Sequence, residues 1–147
     1  MRKGIVALPL MLLISGIVLE MTIASTLIVF YLLQGSIGSR NAAEALVTAQ
    51  SGISDASLQL VRNNGYANSY TFTVDAQHVA QVSVCNGFSK GMTTCSIASA
   101  CSTVDTGKVE ITSLGTVKGK NRCVRAVYNI DGTTGEIKLE SSGEVAL

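Results

Sequence analysis

Few residues in this 147-residue chain could do covalent or coordination chemistry. They are four cysteines, Cys85, Cys95, Cys101 and Cys123, and a single histidine, His78. An even number of cysteines outside the cytoplasm points to two disulfides, in any of three connectivities, with at least one bond tying a loop to a sheet. No two cysteines are spaced Cys-x-x-Cys and there is only one histidine, so no metal is expected. His78 follows a turn-forming stretch, Asp75-Ala76-Gln77, and is expected as a solvated side chain rather than a catalytic base. The chain has no Gly-x-Ser-x-Gly, no phosphate-binding loop and no dinucleotide fingerprint. An enzyme is therefore not expected, and no cofactor is implied. Lys118, Lys120, Arg122 and Arg125 form a local basic cluster. It reads either as a solvated strand edge that discourages aggregation, or as a contact for DNA or an acidic surface, although no aromatic residue is interleaved with the charges.

The elements that must position these residues follow from where the apolar residues sit. The chain is 47% hydrophobic and 14% charged, with a formal net charge of +1. That excludes a strongly basic nucleic-acid binder and argues against disorder. The apolar residues are concentrated: Ile5–Leu33 holds 22 hydrophobic residues among 29 and one charge, Glu20. As a helix this run would extend roughly 43 Å at about 1.5 Å per residue, beyond the ~30 Å core of a bilayer. Arg2 and Lys3 precede it, so the positive-inside rule places the N-terminus in the cytoplasm and the remainder outside. A cleaved secretory signal would have an apolar region of about 7–15 residues ending in a small-residue site, which fits this run poorly. Pro9 falls in the first turns, where a missing amide donor costs little. Glu20 inside the run is costly in lipid unless paired. It reads either as snorkelling or protonated, or as meeting a polar group on a neighbouring chain.

The residues RKG followed by IVALPLMLLISGIVLEM resemble the N-terminus of type IV pilins and pseudopilins, in particular a minor-pilin subgroup. The resemblance implies that a prepilin peptidase cuts between Gly4 and Ile5 and that Ile5 is then methylated. Major pilins usually carry glutamate as the fifth mature residue; here that place is Pro9, as in certain minor pilins and tip pseudopilins. A second register would cut near Ser15–Gly16 and bring Glu20 to about the fifth place. The run ITSLGTVKGKNRCVRAVYNIDGTTGEIKL also resembles the end of such minor pilins.

Four regions result. Residues 1–4 are a basic leader, and 5–34 an apolar helix for the membrane or a filament core. Residues 35–65 are a bend at Gly35–Ser39 followed by an amphipathic helix, with Ser39 able to cap its start. Leu46, Ala49, Ile53, Ala56 and Leu60 are spaced 3, 4, 3 and 4 apart, one face of a helix, and Asn64-Gly65 is a credible stop. Residues 66–147 read as an exported sheet, with strands at Tyr70–Val74, Val79–Cys85, Val109–Val117, Arg122–Ile130 and Glu136–Glu140. Residues 86–107 are a Cys-containing loop. A long helix on a four- or five-stranded, mostly antiparallel sheet is an α+β fold. The resemblance implies a structural subunit of a pilus-like filament, with other pilin subunits, the peptidase, the inner-membrane assembly machinery and, before extraction, membrane lipid as partners. The alternative is a membrane-anchored extracellular binding module that forms no filament.

Overall fold

The computed structural model describes residues 7–87, 95, 97 and 105–147, with side chains in the helix from Pro9 onward. These residues form one helix, α1 (Ala7–Arg62), and five strands: β1 (Ser69–Asp75), β2 (His78–Asn86), β3 (Lys108–Val117), β4 (Lys120–Ile130) and β5 (Ile137–Val145). The strands lie in chain order in one antiparallel sheet. The later part of α1 packs on that sheet, which is the expected α+β arrangement. The chain divides between Ser39 and Arg40 into two units.

In the first unit α1 is apolar all round, and none of the most apolar stretch is buried. It is long and apolar enough to cross a membrane. The expected bend at Gly35–Ser39 is corrected: all five residues are helical. Ser39 does not cap a helix start, because its hydroxyl donates to the Ser36 carbonyl within α1 (2.9 Å). Glycine weakens a helix by about 1 kcal/mol but does not block its geometry. Helical residues on both sides avoid a second costly nucleation.

In the second unit the 3-4 spacing is realised as a buried face. Ala49, Ile53, Ala56 and Leu60 are buried against Ala80, Val82 and Val84 of β2, Val109 and Ile111 of β3, and Val124 and Ala126 of β4, with Leu46 half-buried beside them. Small residues set the closeness of this contact. A Cβ added at Gly52 would meet Val82 Cγ2 at 2.9 Å and collide with Ser113 Oγ. Alternation along each strand places odd-numbered β3 residues and even-numbered β2 and β4 residues on the helix side. The helix stops after Arg62, where Asn63 Oδ1 accepts the Gly65 amide.

The strands differ from expectation only at their ends. The β1–β2 turn is held by Asp75, whose Oδ1 accepts the Gln77 and His78 amides at 2.7 and 2.9 Å. The β3–β4 turn is tighter than expected: Val117 pairs with Lys120, so Lys118 and Gly119 alone make it. Asp131 Oδ1 organises the β4–β5 turn by accepting the Thr133 and Thr134 amides. β5 continues through the tail to Val145, past a register shift at Val127/Tyr128. Of the expected loop 86–107, Asn86 closes β2, and most of the remainder lies outside the described residues.

Candidate functional site

The first candidate is the exposed surface of α1 from Leu10 to Leu33. Every large apolar side chain there is open, from 47% for Ile17 to 73% for Met11. Water does not tolerate an apolar surface of this extent, so lipid or protein must cover it. The serine and threonine hydroxyls within the stretch are already satisfied. Ser15 donates to Leu12 O, Thr22 to Leu19 O, Ser25 to Met21 O and Thr26 to Thr22 O, all at 2.7–2.9 Å. Such back-bonding lets serine and threonine enter an apolar medium without an orphaned donor. Glu20 is left as the single Asp, Glu, Lys or Arg of the stretch, and it is exposed. Pro9 stands at the third position of α1 and its missing amide removes no helical bond. Gly4 and Ile5 lie outside the described residues.

The second candidate is the end of the second unit where α1 meets the β1–β2 turn. Arg40 Nε donates to Glu44 Oε1 at 2.8 Å. His78 stands between two carboxylates, with Nδ1 2.8 Å from Asp75 Oδ1 and Nε2 3.6 Å from Glu44 Oε2. Sequence reasoning expected His78 in solvent. Its side chain is instead about a quarter exposed, and both ring nitrogens face acids. Asp75-x-x-His78 across a tight turn is the local signal for the first contact; nothing local points to Glu44. The hydrogen bond from Arg40 holds the Glu44 carboxyl below the usual glutamate range. The Gln77 amide, then His78, lowers Asp75 likewise. Nδ1 lies within hydrogen-bond distance of Asp75, whereas the 3.6 Å from Nε2 to Glu44 is beyond it. Among the described residues no three metal-binding groups are gathered as a metal site.

Cys85 of β2 and Cys123 of β4 lie on the sheet face away from α1. Cys95 and Cys123 form a disulfide, and the Cys95 amide donates to Ala146 O at 2.7 Å. Cys85 is also disulfide-bonded and buried. Cys101 lies outside the described residues. The same face holds a charge pair missed from sequence: Arg125 Nε is 3.2 Å from Oε1 of Glu110, whose side chain is 3% exposed. Thr112, opposite Arg125 in the register, donates to that oxygen at 3.5 Å.

The structure therefore splits the basic cluster. Arg125 is turned to Glu110 on one face, and Arg122 donates to Glu144 Oε1 at 2.7 Å on the other. Lys118 and Lys120 project from the β3–β4 turn, exposed and, among the described residues, without an ion-pair partner. No protein-family model, characterised protein or solved structure matches the chain. Its reading rests on its own residues.

On the helix side, Tyr70 of β1 donates to Asp55 Oδ2 of α1 at 2.6 Å. Burial, then the Asp55 carboxylate, raises the Tyr70 phenol above the ordinary tyrosine range. Burial raises Tyr128 in the same direction. The Tyr70–Asp55 bond joins helix to sheet.

Proposed function

We propose that this chain is a structural subunit, of the minor pilin or pseudopilin kind, in a type IV pilus-like filament. One observation supports the reading most. A single helix exposes every large apolar side chain from Leu10 to Leu33, then buries Ala49, Ile53, Ala56 and Leu60 in the core of a small sheet domain. A helix so divided suits a subunit held first by lipid and later by neighbouring helices, with the polar domain facing outward. Prepilin peptidase cuts after Gly4 and Ile5 becomes the methylated first residue. The unprocessed chain is a single-pass membrane protein with its N-terminus in the cytoplasm. Lipid is its first partner, and the inner-membrane assembly machinery and other pilin subunits follow. The disulfides hold the outward domain in an oxidising compartment.

Mass spectrometry of the chain from sheared filaments tests the reading. Loss of residues 1–4 with one added methyl on Ile5 is expected. A cut near Ser15–Gly16 would keep the filament reading in the other register. An intact N-terminus in cells with active peptidase, with the chain confined to the membrane fraction, would replace it with the anchored binding module.

A further inference from the structure

Lys118 has a φ of +46° and Gly119 one of +76°, in a two-residue turn closed by the Val117–Lys120 pair. Two positive φ values in a two-residue hairpin loop are the signature of a type I′ turn, whose first position favours asparagine, aspartate or glycine. Lys118 is the one described non-glycine residue with a positive φ. A lysine where the backbone favours other residues raises the question of what its side chain does.

Its role follows from where the turn lies. Gly115 of β3 packs against Ala45 and Ala49 of α1, and His78, which reaches Glu44, pairs with Val117. The β3–β4 turn therefore lies at the end of the second unit where Arg40 begins it. Arg40 follows Leu33 by seven residues. Even fully extended, seven residues span at most about 25 Å, which limits the tether between Arg40 and the apolar run. The two arginines at this end are paired, Arg40 with Glu44 and Arg122 with Glu144, and the Asp75 carboxylate accepts the Gln77 and His78 amides. Lys118 and Lys120 are left over as a cationic tip.

We propose that the Lys118-Gly119-Lys120 tip docks on the anionic headgroups of the membrane that α1 spans, as a second anchor for the sheet domain. Two lysines are too few to hold a free polyanion at physiological salt. Tethering changes this, because a helix in the same bilayer supplies the lysines at high effective concentration. Duplex DNA would need several more phosphate contacts, and both neighbouring arginines are already paired.

The full chain, reconstituted in vesicles of phosphatidylcholine alone or of equal parts phosphatidylcholine and phosphatidylglycerol, provides the test by hydrogen exchange. Amides at the β3–β4 turn should exchange several-fold more slowly in the anionic vesicles, with the β4–β5 turn as internal reference. Raising the salt to about 0.5 M, where the Debye length shrinks to a few ångströms, should remove the difference. Lys118→Asn with Lys120→Gln, which suits the turn, should remove it at low salt. Equal exchange in the two vesicles would overturn the proposal. So would protection by short duplex DNA in neutral vesicles without protection by anionic lipid. Failure of the chain to float with either vesicle would overturn the membrane span and this contact together; a filament defect in the double variant without any lipid effect would overturn the contact alone.

Discussion

Gly115 of β3 lies directly under Ala49 of α1, so close that an added Cβ would stand 2.6 Å from the Ala49 amide nitrogen and would also collide with the Ala45 carbonyl. Backbone meets backbone there, and neither partner can move aside as a flexible side chain would. Gly115→Ala should lower stability by about 1–3 kcal/mol through overpacking, and Gly115→Val by more. Chemical denaturation of the reconstituted chain, followed by circular dichroism, measures this. Unchanged stability in Gly115→Val would mean that helix and sheet do not approach this closely.

The Cys95–Cys123 bond closes a separation of 28 residues and pins Cys95 to β4. Cys95→Ser leaves the buried Cys123 in place and opens the loop. It should cost about 3.5 kcal/mol on the loop-entropy account. A reductant should destabilise the wild type more than the variant, as differential scanning fluorimetry would report. Equal losses in both would show that this bond contributes little.

Asp75, Glu44 and Asp131 all hold their protons less readily in the folded chain, through backbone amides at Asp75 and Asp131 and through Arg40 at Glu44. Their folded pKa values lie below the ordinary 3.8 of aspartate and 4.5 of glutamate. Each stabilising contribution is thus fully present above that ordinary value and is lost as pH falls through the folded one. Melting temperature should drop below about pH 4, and Asp75→Asn should flatten part of the drop because its amide does not titrate. An identical acid limb in that variant would remove Asp75 from the account.

Tyr70→Phe removes the hydroxyl that donates to Asp55 and keeps the ring in the core. The expected cost is about 0.5–1.5 kcal/mol, since Asp55 can still turn to water. Spectrophotometric titration should also show one fewer tyrosine resisting ionisation above the ordinary range. A titration curve unchanged apart from one lost ordinary tyrosine would contradict the buried bond.

Much of this was legible in the residues themselves. The apolar run is legible because a helix needs only local hydrogen bonds, and 22 apolar residues among 29 require covering whatever the fold. The buried face from Ala49 to Leu60 and the alternation in β4 are legible because helix and strand have fixed periods. The continuity of α1 through Gly35–Ser39 was not, because glycine weakens a helix without deciding its end. Nor was the division of four basic residues into two ion pairs and a free lysine tip. Lys118, Lys120, Arg122 and Arg125 are alike in sequence, and only the register that brings Arg125 beside Thr112 and near Glu110, and Arg122 toward Glu144, separates them. Likewise Asp75 beside His78 is written in a four-residue turn, whereas Glu44 reaches His78 across 34 positions of chain. Local periods determine which residues form each element and which face each one buries. Which charges meet depends on how distant elements pack, and that only the tertiary structure decides.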